Sequence, residues 1–359
     1  MGKRLFTEAY EVNHFNFLWS AKNLILAWLL DVDILGMLLF YILIFLICCV
    51  LFYFSGKWTV DGLVHISKFL GLREFVVAFF VIAVAASLPN LFVGISSALR
   101  KIPQLSFGDI AGNNLAALTL VVAAAALFAK GGIPAESRTV QKTSLFTIAA
   151  AILPIILILD GLLSRTDGIV LIGLFIFYIT WLFSKKERFT KIYDHSKEKQ
   201  PDRFRTFLKD AAKVVLGLLI MILASQGIVL SAQFFAQNFN LSLLLIGILV
   251  TGLGSTLPEF YFDIVSARKG EGWMILGDLM GAIIIPSTLI LGIVALICPI
   301  QLFDSSPLVI ARFFLIVSAL FFLIFVRSNQ RISKKEALVL LLIYIAFLIT
   351  EIFFNKIFG

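Results

Sequence analysis

Charged side chains are scarce in this sequence. Asp, Glu, Lys and Arg make up 14% of its 359 residues, whereas 60% of the residues are hydrophobic, and the mean hydropathy is +1.01. A soluble chain of this length could not bury so much apolar surface in one core, whereas a lipid bilayer can solvate it. The composition therefore argues against an ordinary soluble protein and predicts an integral membrane protein.

Cysteine and histidine are also rare. Cys48, Cys49 and Cys298 lie in apolar runs, so we expect buried or lipid-facing thiols and no disulfide framework. The three histidines are scattered and give no metal-ligand spacing. The sequence holds no phosphate-binding G-x-x-x-x-G-K-[ST] motif and no Ser/His/Asp grouping that suggests hydrolysis. We expect neither an enzyme nor a bound cofactor.

The polar N-terminus gives no sign of a secretory signal peptide. The formal net charge is +8, but no basic aromatic module accompanies it. We therefore attribute the excess to cytoplasmic loops and expect no nucleic-acid partner.

Long apolar runs fill most of the chain. Because they are rich in Leu, Ile, Phe and Ala and do not alternate with polar residues, they predict helices and not a β-barrel. The length rule predicts an all-α fold with about ten transmembrane helices, near 34–56, 74–99, 107–129, 143–162, 168–184, 211–236, 242–267, 274–298, 308–326 and 335–354. Residues 1–33 precede them as an extension, in which 15–30 predicts an interfacial helix or, alternatively, a loosely inserted one.

One basic linker, 184–210, separates five predicted spans from five others. By the positive-inside rule this linker is cytoplasmic, in a multi-pass protein of the cell (inner) membrane. We therefore predict four segments: the extension 1–33, a first repeat 34–183, the linker 184–210 and a second repeat 211–359. The sequence leaves the oligomeric state open.

A motif occurs twice at a constant separation. Ser87–Asn90 reads SLPN and Thr256–Glu259 reads TLPE, and 259 − 90 = 169. Gly108-Asp109 and Gly277-Asp278 keep the same offset, since 277 − 108 = 169. Five spans in each repeat require the second copy to insert upside down, and inverted repeats are typical of transporters with a midplane site.

Each copy of the motif carries a proline inside a predicted span. Pro89 and Pro258 each remove a backbone donor, and the freed carbonyls can then line a cavity. A simple kink is the alternative interpretation of a single proline, but two at equivalent places beside hydroxyl residues favour a binding site.

These paired S/T-L-P-E/N segments, each followed by G-D-x-x-G, resemble the cation/calcium antiporter superfamily, in particular prokaryotic sodium/calcium exchangers. The resemblance covers residues 34–354, and the usual pattern is G-T-S-L-P-E followed by G-N-x-x-G-S-N. It implies secondary antiport by alternating access around a midplane cation site, with Ca²⁺, Na⁺ or H⁺ as transported ions. It implies a ligand set of Glu259, Asn90, Ser87, Thr256, Ser255 and Asn113. Asp109 and Asp278 are added as candidates because each lies four residues before a site position, on the same helix face.

The sequence departs from the pattern at several of these positions. Asn90 replaces an acidic ligand, and Ala117 and Pro286 stand where the family has polar ligands. Glu259 is the one acid retained in the central ring. Since Ca²⁺ normally takes several carboxylates, a monovalent ion or a proton is a possible alternative to calcium.

Three further acids lie one helical turn from site positions. Asp109 and Asp278 could be ligands or helix N-caps, and Asp263 is read as a boundary charge in preference to a ligand. The departures also leave open a non-transporting paralogue that serves as a membrane scaffold or sensor. A channel is less favoured, because inverted repeats around a closed site serve alternating access.

Overall fold

A computed structural model describes residues 35–63, 65–66, 82–136, 138–184, 203–270, 272–302, 306–328 and 330–358. The chain divides into two compact units, residues 1–46 and 47–359. In the first unit the described residues 35–46 are helical. The predicted interfacial helix at 15–30 and most of the predicted linker lie outside the described residues.

The described part of the first repeat contains seven helices. They are α1 (Leu35–Leu63), α2 (Ile82–Ala86), α3 (Leu88–Leu99), α4 (Pro103–Ala116), α5 (Val122–Phe128), α6 (Arg138–Leu157) and α7 (Arg165–Ser184). A π-helical turn, Ala117–Val121, joins α4 to α5, so the two form one span, Pro103–Phe128. A 3₁₀ turn at Ile158–Asp160 ends α6.

The second repeat has the same organisation. Its helices are α8 (Arg203–Asn238), α9 (Leu243–Ile246), α10 (Gly252–Lys269), α11 (Gly272–Ile284), α12 (Leu291–Ile297), α13 (Ser306–Ser328) and α14 (Lys334–Phe358). Two further π-helical segments, Gly247–Thr251 and Ile285–Ile290, join α9 to α10 and α11 to α12.

The prediction of an all-helical membrane protein is confirmed. In the described part of the chain, eight helices are long and apolar enough to cross a membrane, and a bent ninth pair runs from Leu243 to Lys269. These nine match nine of the ten predicted spans. The remaining one, 74–99, is described from residue 82 onward, where α2 and α3 follow each other.

Two short antiparallel ribbons tie the repeats together. β1 (Ile133–Pro134) pairs with β4 (Arg331–Ile332), and β2 (Leu162–Leu163) pairs with β3 (Ile300–Gln301). β4 is the repeat equivalent of β2, since 331 − 162 = 169. Each ribbon therefore joins a strand from one repeat to a strand from the other, as a two-fold related pair of repeats requires.

The helix contacts follow the same symmetry. α12 packs on α7, and its repeat equivalent α5 packs on α14. The buried core is contiguous across both repeats and includes Phe107, Leu118, Ile283 and Phe322. The repeats thus form one core.

Candidate functional site

The helix is irregular at both copies of the motif, because it breaks at the first copy and bends at the second. Ser87 separates α2 from α3, and Pro89 is the second residue of α3. In the second copy the helix bends by 43° between Leu257 and Glu259. A proline nitrogen cannot donate a hydrogen bond, so each of the two prolines leaves the backbone carbonyl four residues earlier without its helical partner.

The second motif is connected to α4 of the first repeat. Ser255 Oγ donates to Asp109 Oδ1 at 3.1 Å, and Thr256 Oγ1 lies 2.6 Å from Asn113 Oδ1. Asp109 and Asn113 are four residues apart and therefore share one face of α4. The structure thus brings together four of the predicted site residues, two from each repeat.

The contact between Thr256 and Asn113 is compatible with two orientations of the Asn113 amide. Thr256 Oγ1 also lies 2.5 Å from the carbonyl oxygen of Gly252. One hydroxyl proton serves one acceptor, whereas a rotated Asn113 amide would donate its own proton to Thr256. In that arrangement the amide oxygen of Asn113 is free to bind a cation.

Several buried polar atoms of the site have no hydrogen-bond partner. Buried polar groups are nearly always paired, so a cluster of unpaired ones in an apolar core calls for a ligand. The unpartnered atoms are Asn90 Oδ1 and Nδ2, Asp109 Oδ2, Asn113 Nδ2, Glu259 Oε1, Asp278 Oδ1 and both carboxylate oxygens of Asp263.

Four acidic side chains lie close enough to interact electrostatically. Glu259 interacts with Asp278 and Asp109, and Asp263 interacts with Asp278 and Glu259. All four are buried, with at most 3% of any residue exposed. Four ionised carboxylates cannot share such a space unless cations or protons offset their charge.

For these acids, the structure excludes one of the two alternatives for Asp109 and Asp278 and shows that the expectation for Asp263 is wrong. Asp109 and Asp278 are not N-caps, because α4 begins at Pro103 and α11 at Gly272, six residues earlier in each case. Asp263 is not a solvated boundary charge, because it is 0% exposed. α10 packs on α11, and Asp263 interacts electrostatically with Asp278 of α11.

Ser87 and Asn90 are less closely connected to the other predicted ligands. Ser87 Oγ donates to the carbonyl oxygen of Ala83 in the preceding turn, at 2.8 Å. Asn90 is buried, and neither atom of its amide has a partner. The first copy of the motif therefore offers an unpaired amide where the second copy offers a carboxylate.

A cavity of about 460 Å³ reaches the second motif. Glu259, Asp278 and Pro89 of the first motif line this cavity. Lys57, Asp61 and Lys269 line it too, and the side chains of Lys57 and Lys269 are exposed. Glu259 lies ten residues before the end of α10, which corresponds to about 15 Å along a helix.

Sequence reasoning missed one polar contact between the repeats. Asn114 Nδ2 donates to Ser287 Oγ at 2.7 Å, and both residues are buried. Asn114 occupies the final Asn of the G-N-x-x-G-S-N pattern, which is the signal that could have found it. The partner, Ser287, lies in the π-helical segment Ile285–Ile290, and no sequence motif indicated it.

The site is built from mixed oxygen donors. In the described ranges no group of three or more His, Cys, Asp or Glu side chains is placed to hold one metal ion. Carboxylates, amides and hydroxyls therefore have to share the coordination of any ion. Such a donor set suits hard cations such as Ca²⁺ and Na⁺ and disfavours soft metals.

Two inverted helical repeats with broken helices around a buried polar site define a multi-pass membrane transporter. The chain belongs to the sodium/calcium exchanger protein family, whose model matches residues 40–184 and 210–353. This is a family of transporters and not of enzymes, and the predicted resemblance is confirmed.

Individual relatives support this assignment. The chain is 24% identical to the sodium/calcium exchanger MaX1 of Methanosarcina acetivorans, over 82% of this chain and 93% of that protein. It is 26% identical to the inner membrane protein YrbG of Escherichia coli, over 79% and 89%. Its fold is similar to that of the sodium-calcium exchanger NCX_Mj, with a TM-score of 0.61 and 22% identity over 86% and 97% of the chains.

Proposed function

We propose that this protein is a secondary cation antiporter in which Glu259 is the main acidic ligand of a midplane site. The main support is the carboxylate of Glu259, which is buried and has one unpartnered oxygen. It lies at a bend in its helix and lines a cavity. Burying an ionised acid at this depth has a high free-energy cost unless the acid binds a cation or a proton.

The remaining ligands come from both repeats. The hydroxyls of Ser255 and Thr256 and the side chains of Asp109 and Asn113 surround the bend in the second repeat. Ser87 and Asn90 supply the first-repeat part, and Asp278 approaches from α11. Backbone carbonyls freed at the two breaks complete the coordination.

Alternating access explains why the cavity is connected to one end of the protein. It leads from Glu259 to Lys269, at the end of α10. The positive-inside rule assigns this end to the cytoplasm. We therefore propose that this conformation exposes the site inward, and that a movement of α1 and α8 opens the other side.

Flux measurements on proteoliposomes test the proposal. With an outward Na⁺ or H⁺ gradient, the wild-type protein should accumulate ⁴⁵Ca²⁺, and Glu259→Gln should reduce uptake to the level of empty vesicles. Glu351→Gln is the matched control, because Glu351 is also a buried acid with an unpartnered oxygen, but lies in α14. If wild type moves no cation, or Glu259→Gln transports normally, the proposal is wrong.

A monovalent cation or proton exchanger is the second candidate. Asn90 favours it, since a neutral amide lowers the charge available for a divalent ion. The same vesicles distinguish the two candidates: Na⁺/H⁺ exchange without ⁴⁵Ca²⁺ uptake supports the monovalent exchanger. No flux of any cation supports the non-transporting paralogue.

A further inference from the structure

Two aspartates lie at equal depth between Glu259 and the adjoining ends of α10 and α11. Asp263 is six residues before the end of α10, and Asp278 is six residues after the start of α11. Each is therefore about 9 Å from its helix end, one turn nearer to it than Glu259. α10 and α11 pack against each other, and the two carboxylates are close enough to interact electrostatically.

Hydrogen bonds do not compensate for the burial of this pair. Asp263 is 0% exposed and Asp278 is 2% exposed. Both oxygens of Asp263 and one oxygen of Asp278 have no partner. An arginine or lysine would normally accompany acids this deeply buried, and in the described part of the chain no ion pair is formed by either.

Comparison of the repeats shows why these oxygens stay free. In the first repeat, Asp109 is equivalent to Asp278 (278 − 109 = 169) and accepts a hydrogen bond from Ser255. The residue equivalent to Ser255 is Ala86, which has no hydroxyl to offer Asp278. The residue equivalent to Asp263 is Gly94. The first repeat therefore has no aspartate pair equivalent to Asp263 and Asp278.

We propose that Asp263 and Asp278 form a second site for a hard divalent cation, one helical turn from Glu259. Ser266 adds a hydroxyl, because it lies three residues after Asp263 on the same face and lines the cavity. Water from the cavity fills the remaining positions. This inference rests on the proposed function only for the type of cation that is bound. A cation can bind at this site even if the protein does not transport it.

The chemistry of the pair favours a divalent ion. Two carboxylates carry the charge that one divalent cation neutralises, and Ca²⁺ accepts carboxylate, hydroxyl and water oxygens in flexible geometry. Asp278, Glu259 and Ser266 all line the cavity. An ion that enters past Lys269 thus meets Asp278 on the cavity wall before it reaches Glu259, and the fully buried Asp263 completes the pair.

Calcium binding to the purified full-length protein tests this second site. We would measure ⁴⁵Ca²⁺ binding at equilibrium, without Na⁺, in a Glu259→Gln background that removes the central carboxylate. That variant should retain one bound Ca²⁺ per chain. Adding Asp263→Asn or Asp278→Asn should weaken the remaining binding at least about tenfold, whereas adding Glu351→Gln should not change it.

Two outcomes would overturn the second site. One is the loss of all binding in Glu259→Gln alone, which would mean that the pair holds no ion by itself. The other is unchanged binding when Asp263→Asn is added. A monodisperse size-exclusion profile and an unchanged Tm confirm that each variant is folded, and Asp263→Ser replaces any variant that fails this check. A protein that binds Ca²⁺ in this way but moves no cation would contradict the proposed function and leave the second site supported.

Discussion

At the scale of single residues, the two copies of the motif differ in charge. Glu259 carries a carboxylate and Asn90 a neutral amide, and both are buried. Three unpartnered carboxylate oxygens nearby belong to Asp263 and Asp278 in the second repeat, whereas Asp109 of the first repeat has one unpartnered oxygen and one bonded to Ser255. The negative charge of the site is therefore shifted towards the motif of the second repeat.

This asymmetry predicts the effect of restoring an acid in the first motif. Asn90→Glu adds a second central carboxylate, so the affinity for Ca²⁺ should rise relative to that for Na⁺. Competition of Na⁺ against ⁴⁵Ca²⁺ binding measures the change. Asn90→Gln is the matched control, because it lengthens the side chain by the same methylene without adding charge. Equal Na⁺ competition in the two variants would show that Asn90 does not contact the ion.

At the scale of helices, close contact between backbones positions the site. A Cβ atom at Gly112 would collide with the backbone of Ile248, and one at Gly108 would collide with Leu244 and Gly247. α4 can therefore lie directly against the π-helical segment Gly247–Thr251, which places Asp109 and Asn113 beside Ser255 and Thr256. The absence of a side chain at Gly108 and Gly112 thus permits this close packing.

Gly112→Ala should destabilise the protein by about 1–3 kcal/mol, because its methyl group has no space and the facing atoms are backbone. A lower Tm in detergent, measured by intrinsic fluorescence, is the expected result. Gly173→Ala in α7 is the control, since nothing lies within 4 Å of its Cβ position. Alanine there should leave stability unchanged or raise it by up to about 1 kcal/mol. Similar losses in both variants would contradict the packing argument.

The π-helical turns are a second feature of the helices. Ala117–Val121 and Ile285–Ile290 occupy equivalent places in the two repeats, since 286 − 117 = 169. Each contains a threonine whose hydroxyl donates to a carbonyl four residues earlier, Thr119 to Leu115 and Thr288 to Ile284. Because a π turn inserts one extra residue, it changes which side chains face the neighbouring helix. Ser287 is brought against Asn114 in this way.

At the scale of the whole molecule, the two ribbons lie at opposite ends of the bundle. β1 precedes α6 and β2 follows it, and the 20 residues of α6 span about 30 Å. Each ribbon joins the repeats at one end, so the repeats are connected at both ends without relying on the linker.

Cysteine pairs across these ribbons should form disulfides. Directly opposed residues in an antiparallel pair have Cα atoms about 4.5–5.5 Å apart, which suits a disulfide. Ile133→Cys with Ile332→Cys, or Leu163→Cys with Ile300→Cys, should keep the halves linked after proteolysis at a cleavage site inserted in 184–210. The native cysteines Cys48, Cys49 and Cys298 are first replaced by alanine.

Non-reducing gels provide the measurement, and a reducing agent should separate the halves. The mismatched pair Ile133→Cys with Ile300→Cys is the control, because these residues belong to different ribbons. Efficient cross-linking of the mismatched pair, or none of the matched pairs, would contradict the observed register.

The sequence by itself determined the class of fold and the position of the duplicated motif. Apolar length specifies a membrane helix because lipid leaves no other partner for the backbone, and the 169-residue offset specifies the repeat. The tertiary structure decided how the polar residues are used. Whether Asp263 is solvated or buried depends on how the neighbouring helices pack against α10. The pairing of Asp109 with Ser255, 146 positions apart, depends on two segments that meet at glycines. Such contacts depend on the packing of distant segments, and no local pattern encodes them.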